Sequence, residues 1–142
     1  IIAGASAFGY YLTRERVPRE MAEFMLGITD NWIIALLIIN LLLLIIGTFL
    51  ETSAAIIILT PILVPIAEAL GIDLIHFGII MIVNLAIGFI TPPVGVNLFV
   101  AANIAGTKFE KLIRAIVPFI IIMIVDVIII SFIPEISLLF VR

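Results

Sequence analysis

The sequence predicts an all-α polytopic membrane protein in which the apolar segments are broken at two places. Three observations predict it. Hydrophobic residues make up 65% of the chain and charged residues 12%, with a mean hydropathy of +1.46. A soluble domain is roughly half apolar and about a quarter charged, so this chain has too little polar surface to coat one. Apolar runs of about 20 residues recur, the length that crosses a bilayer as a helix. Two short polar stretches, Gly47-Thr48-Phe49-Leu50-Glu51-Thr52-Ser53 and Gly88-Phe89-Ile90-Thr91-Pro92-Pro93-Val94-Gly95-Val96-Asn97, sit deep inside such runs. Lipid cannot hydrogen-bond free backbone groups, so irregular backbone at that depth must be buried in protein or line a cavity.

The first unit is 1–30. The chain opens Ile1-Ile2-Ala3-Gly4-Ala5, without Met and without a charged n-region, so it is not a signal peptide. Residues 1–12 read as the end of a membrane helix, with Tyr10 and Tyr11 at the aromatic belt; the sequence is expected to be part of a longer protein. Residues 13–30 hold seven of the 17 charged side chains, Arg14, Glu15, Arg16, Arg19, Glu20, Glu23 and Asp30, which places this segment outside the hydrocarbon. Met21, Phe24, Met25 and Ile28 recur at three- and four-residue spacing, the pattern of an amphipathic helix on the membrane surface. Pro18 fits its first turn. Thr29 or Asp30 is the expected cap of the next helix, and Trp32 its interfacial end.

The second unit is 31–72. Residues 31–50 form one apolar run; 54–72 form another, interrupted by Pro61, Pro65 and Glu68. Two full spans would put the link Glu51-Thr52-Ser53 at the far surface, whereas a re-entrant hairpin would put it near the midplane. Thr48 and Thr60 extend the polar zone into both arms and favour the hairpin.

The third unit is 73–106. Gly71-Ile72-Asp73 reads as a turn with Asp73 as N-cap. Residues 74–105 are too long an apolar run for one straight span. Thr91-Pro92-Pro93 must interrupt it, because proline removes a donor and pushes the preceding residue out of the helical region. Half-helices over 74–89 and 96–105 result.

The fourth unit is 107–142. A polar, basic stretch over 106–114 with Lys108, Lys111 and Arg114 reads as a juxtamembrane anchor. A span over 115–133 follows, ended by Pro134-Glu135. Orientation is nearly a tie, since 13–30 and 106–114 each carry three Lys or Arg.

Interrupted helices suit ion binding. The last carbonyls of a half-helix have no intrahelical partner and carry partial negative charge. Glycine at such a point lets the backbone turn and approach an ion. Gly47 and Gly88 are therefore candidate carbonyl ligands for Na⁺, with the carbonyl or hydroxyl of Thr91. The opposite ends, with free N–H groups, suit a carboxylate; Thr52, Ser53 and Asn97 sit there. A packing kink is the plainer explanation of one such break, but two breaks flanked by hydroxyls and amides favour a site. Glu51 is either a surface-loop residue or an intramembrane carboxylate with a functional role. Asp126, inside the last span, is an ion relay or a buried partner to a neighbouring helix. Asn40, Asn84 and Asn103 read as glue between helices, and His76 as interfacial.

Several classes are excluded. No basic stripe with interleaved aromatics suggests nucleic acid. Cysteine is absent, so disulfides and thiolate metal sites are too. No Ser/His/Asp arrangement, HExxH or phosphate loop points to an enzyme, and no organic cofactor is implied.

The stretches Gly47–Ile66, opening GTFLE, and Asn84–Phe99, containing TPPVGVNLF, resemble the large membrane subunit of tripartite ATP-independent periplasmic (TRAP) transporters, the DctM type. The likeness extends over almost the whole chain and matches the C-terminal part of that subunit. The resemblance implies one half of an inverted-repeat, elevator-type transporter, with residues 31–70 as a re-entrant hairpin and 74–105 as a broken helix. It implies a cytoplasmic 106–114 loop and a last helix partly on the scaffold side. Carried over by position, one Na⁺ site falls on Gly47, Gly88, Thr91 and Val94; Val94 does not emerge from the residue reading. The set expected to meet the carboxylate is Glu51, Thr52, Ser53, Pro93, Gly95 and Asn97. The activity implied is Na⁺-driven import of an organic acid across a bacterial inner membrane. A periplasmic binding protein (DctP type) would deliver the acid, and a small membrane subunit (DctQ type) would support the permease. The alternatives are a single-component Na⁺/dicarboxylate symporter and a non-transporting membrane scaffold.

Overall fold

The computed structural model describes residues 2–29, 31–139 and 141. Among these there are eight helices and no strand. α1 (Ile2–Arg14) and α2 (Val17–Ile28) come first. They are followed by α3 (Trp32–Phe49) and α4 (Thr52–Ala69). The two half-helices are α5 (Leu74–Phe89) and α6 (Val96–Ala105), with the bounds the sequence predicts. α7 (Phe109–Phe132) and the short α8 (Pro134–Leu138) close the chain. Three helices, α3, α4 and α7, are long and apolar enough to cross a membrane.

α5 is the centre of the packing. It lies against α3 over most of its length and also touches α4, α7 and α8, while α3 and α4 make little contact with each other. α1 and α2 pack on α4. The core is built from rows spaced about one turn apart: Ala35, Ile39 and Leu43 on α3, and Phe77, Met81 and Leu85 on α5. Ala55, Leu59, Leu63 and Ile66 join them from α4. Such rows keep one face of each helix continuously apolar toward its neighbour.

α3 and α5 run in the same direction. Trp32 and Leu36 line a cavity of about 390 Å³ together with Leu70, Asp73 and His76, so α3 and α5 start, and α4 ends, at one end of the molecule. Gly47 and Gly88 meet at the other end. α7 is about 36 Å long and runs back to the first end, where Phe132 and Trp32 pack with ring centroids 5.9 Å apart.

Several local expectations change. The N-cap of α3 is Asn31, whose Oδ1 accepts from Ile33 N at 2.9 Å. Thr29 instead accepts from Asn31 N and fixes the approach to the cap; Asp30 lies outside the described residues. Asp73 does cap α5, accepting from the N–H groups of Ile75 and His76. Pro61 and Pro65 do not interrupt α4, which runs helical through both. Pro61 cannot donate to Ile57, but Gly9 of α1 packs against the Ile57 carbonyl and the Pro61 ring, so the lesion is covered by protein. The basic loop shrinks to three residues, because α7 begins at Phe109 and carries Lys111 and Arg114 in its first turns. The last span ends before Pro134, as expected, and Pro134 then opens the short α8 at its first position. On α2, Met21 and Phe24 are exposed, as a lipid-facing stripe requires. The side chains of Met25 and Ile28 lie outside the described set.

The largest correction concerns His76. It is 2% exposed, not interfacial. Its Nε2 is 3.2 Å from the Ser131 carbonyl and its Nδ1 is 2.9 Å from Ser137 Oγ. A carbonyl can only accept, so Nε2 carries a proton and donates to the Ser131 carbonyl, while Nδ1 pairs with the Ser137 hydroxyl. Ser131 also anchors the Asn glue. Asn84 Nδ2 donates to Asn40 Oδ1 at 2.6 Å and to Ile80 O, and Asn40 Nδ2 donates to Ser131 Oγ at 3.0 Å. This chain ties α3, α5 and α7 together; Asn103 is exposed and takes no part. Asn84 Oδ1 is buried with no partner. Asn40→Leu should therefore cost about 1–2 kcal/mol, because it strands groups on both neighbours. Asn84→Leu should cost less, because it also removes the orphan oxygen. Unfolding of the two variants in detergent checks the order.

Candidate functional site

The site begins with a close approach of two helices near their C-terminal ends. Gly47 lies two residues before the end of α3, and Gly88 one before the end of α5. A Cβ on Gly88 would stand 2.7 Å from the Cα and C of Gly47 and from Leu44 O. A Cβ on Gly47 would stand 2.9 Å from Leu85 O and 3.1 Å from Gly88 Cα. Backbone meets backbone here, and only glycine on both sides permits it. Both glycines thus have a packing role, separate from any ligand.

The consequence is electrostatic. Two parallel helices end side by side, so the partial negative charges of their C-termini converge. Leu50 N closes the last turn of α3 on Ile46 O, which leaves the following carbonyls without helical donors. Thr91 N donates to Gly88 O at 2.8 Å, and that carbonyl keeps a second lone pair.

Hydroxyls complete the arrangement. Thr91 Oγ1 donates to Ile87 O at 2.6 Å, and Thr48 Oγ1 donates to Ile45 O at 2.7 Å. Each spends its only proton on its own helix, so each presents only lone pairs to anything else. Both line a cavity of about 250 Å³ with Leu44, Phe49, Pro92 and Pro93. Most of the lining is apolar; the Thr48 and Thr91 side chains are its polar members, and neither has a free hydroxyl donor.

The break itself is short. The Pro92–Pro93 peptide bond is cis, and Gly95 sits at φ +51 as the N-cap of α6. That backbone position favours glycine, and a Cβ there would also meet Leu98 Cδ1 at 2.9 Å. No side chain caps α6, so its first N–H groups are not taken by a side chain.

At the other break the opposite holds. Glu51 caps α4: Oε1 accepts from the N–H and hydroxyl of Ser53, both at 2.9 Å, and Oε2 accepts from Ala54 N at 3.0 Å. The donors that the sequence offers to a bound carboxylate are held by the protein's own carboxylate. Glu51→Ala removes the cap of α4 and is expected to lower the midpoint of thermal unfolding in detergent.

The structure thus brings together Gly47, Gly88 and Thr91 from the expected Na⁺ set, with Val94 half-buried in the turn that follows. Of the expected carboxylate set, Pro93 lines the same cavity. Gly95 is buried beside the Thr91 carbonyl, while Asn97 is exposed on the first turn of α6. Glu51, Thr52 and Ser53 do not line that cavity. Thr48 belongs to it although the sequence reading placed it only in a polar zone. Its signal was a hydroxyl next to the very glycine that contacts the second helix. Among the described residues no cluster of three His, Cys, Asp or Glu could hold a metal; the acceptors here are carbonyls and hydroxyls.

Known proteins are similar in sequence. The family described as "Tripartite ATP-independent periplasmic transporter, DctM component" matches residues 1–136. The chain is 53% identical over 140 residues to the isethionate TRAP transporter permease protein DctMQ of Oleidesulfovibrio alaskensis, covering 99% of this chain and 22% of that protein. It is 49% identical over 140 residues to the C4-dicarboxylate TRAP transporter large permease protein DctM of Pseudomonas aeruginosa, covering 97% and 32%. It is 40% identical over 139 residues to the sialic acid TRAP transporter large permease protein SiaM of Vibrio cholerae, covering 98% and 33%. The chain spans about a third or less of the length of these relatives. With a match over nearly all of its residues, and with both broken segments inside it, this integral membrane chain belongs to the DctM component family of the tripartite ATP-independent periplasmic transporters.

Proposed function

We propose that this chain forms part of the permease of a Na⁺-driven importer of organic acids in a bacterial inner membrane. The observation that carries the reading is the convergence of the α3 and α5 C-termini at Gly47 and Gly88, beside Thr48 and Thr91 with their hydroxyl protons committed. Na⁺ is taken there by oxygen acceptors, with Gly47, Gly88, Thr91 and Val94 as the expected ligands. The side-chain-free N-terminus of α6, with Pro93, Gly95 and Asn97, faces the acid. Cation and anion side by side lower each other's desolvation cost. Glu51 and Ser53 reach the acid only by giving up the cap they form.

The shared end of α3, α4 and α5, with the link Glu51–Ser53 at the other, supports a re-entrant hairpin. At about 27 Å for α3 against about 36 Å for α7, the hairpin tip falls short of the far end of the long span. Movement of this unit as an elevator, against a scaffold elsewhere in the protein, is the mechanism proposed. A small membrane subunit supports the permease and a periplasmic binding protein delivers the acid. The relatives are named for isethionate, C4-dicarboxylates and sialic acid, which supports an organic anion as the substrate class proposed.

The test is uptake into proteoliposomes that hold the full-length permease and its small subunit. A panel of isethionate, C4-dicarboxylates and sialic acid is supplied with candidate binding proteins, with and without an inward Na⁺ gradient. Uptake that needs both binding protein and Na⁺ is expected. Uptake with Na⁺ alone would replace the tripartite reading by a single-component symporter, and uptake indifferent to Na⁺ would remove the cation from the α3–α5 site.

A further inference from the structure

Asp126 is an ionisable group inside a long apolar helix that the proposed site does not use. It lies in α7, six residues inside the Phe132 end, or about 9 Å along the axis. Its neighbours Val125, Ile128 and Ile129 are exposed apolar side chains. Asp126 is exposed as well, and among the described residues it makes no hydrogen bond or ion pair. A carboxylate has too short a stem to reach the membrane surface from that depth, unlike Lys or Arg. Facing lipid, it would have no partner at all.

The residues around it follow a regular rule. Phe119, Ile122, Asp126 and Ile129 are spaced three, four and three residues apart on α7, and the three apolar members are all exposed, Ile122 at 65%. That spacing fits the a/d seam of two helices packed at a shallow left-handed crossing, with the exposed Ile121, Val125 and Ile128 flanking it. One polar residue at such a seam fixes register. α7 packs mainly on α5, α6 and α8, through its other faces.

We propose that the Phe119–Ile122–Asp126–Ile129 stripe is a helix–helix interface. Its occupant is a membrane-spanning helix from the remainder of the same polypeptide, carrying a hydrogen-bond donor side chain opposite Asp126. The chain spans a third or less of its relatives, so most of the full protein's helices lie outside it. The required chemistry is a donor: Arg, Lys, Asn, Gln, Ser or Thr. The inference rests on the membrane location and on the greater length of the relatives, and is independent of Na⁺ coupling.

The test uses the full-length permease with its small subunit in native membranes. Ile122→Cys and Ile129→Cys are made singly in a background without other cysteines, with Ile121→Cys for comparison. The seam cysteines are expected to resist both a water-soluble maleimide and a lipid-dissolved one. Fitted with a photoreactive group, they are expected to cross-link within the permease polypeptide. Labelling from water would make the stripe part of an aqueous pathway, and labelling from lipid would leave it bare; either overturns the proposal. A cross-link to the small subunit overturns the choice of occupant. Asp126→Leu is expected to lower the yield of intact, monodisperse transporter several-fold, with Asp126→Asn close to the parent because its amide oxygen still accepts. Equal yields for all three would also count against the interface.

Discussion

Gly88→Ala is expected to disable the protein through packing, whatever ion it carries. The added methyl would stand 2.7 Å from three backbone atoms of α3, the Cα and C of Gly47 and the carbonyl oxygen of Leu44. None is the end of a flexible side chain, so α3 must move as a body. Separating α3 from α5 loosens the rows Ala35–Ile39–Leu43 and Phe77–Met81–Leu85 that form the core. Overpacking of this kind costs about 1–3 kcal/mol and sometimes more, and the rigid backbone neighbours place this case at the upper end. Thermal unfolding in detergent should fall sharply and uptake should be lost with it. Gly47→Ala, with contacts at 2.9–3.1 Å, should be milder but in the same direction. Gly78 supplies the control on the same helix. A Cβ there would meet nothing within 4 Å, so Gly78→Ala should be neutral or add about 0.5–1 kcal/mol through helix propensity. Equal tolerance at 88 and 78 would mean that α3 and α5 do not approach as described.

Thr91→Val separates ligand binding from packing at the same place. Valine keeps the branched shape and removes the hydroxyl, so the α5 end should stay folded. What is lost is the oxygen that donates to Ile87 O and turns its lone pairs outward. A lost ligand of this kind is worth about 1–3 kcal/mol, or roughly 5- to 150-fold in the Na⁺ concentration for half-maximal uptake. Thr91→Ser should restore most of it. An unchanged Na⁺ dependence in Thr91→Val, with protein of normal stability, would remove Thr91 from the site. Gly88→Ala and Thr91→Val therefore fail in different ways: the first in stability and activity together, the second in ion dependence alone.

The two breaks were legible because each violates a local rule that lipid enforces. Thr91-Pro92-Pro93 cannot continue a helix, and the half-helices it separates fall on 74–89 and 96–105 in pattern and in structure alike. Asp73 was legible as a cap for the same kind of reason, since its carboxylate reaches only its own next turn. Where competing caps stood side by side, as at Thr29, Asp30 and Asn31, the pattern could not choose. Geometry gave the role to Asn31. The pattern left open what Pro61 and Pro65 do to α4, because the effect of a proline depends on what covers the freed carbonyl, and at Pro61 α1 covers it.

From its sequence alone this protein is helical, membrane-embedded and interrupted at two polar places, because composition, run length and proline chemistry act over a few neighbouring residues. The resemblance carried by GTFLE and TPPVGVNLF added the family. Tertiary structure alone decided that Gly47 and Gly88 touch, since 41 residues separate them and no periodicity links α3 to α5. It also decided that Thr48 joins Thr91 at one cavity, that His76 is buried against Ser131, and that Glu51 holds the N-terminus of α4 for itself. Each of these depends on which helix faces which, a long-range choice made by the packing of whole helices and invisible in any short window of the chain.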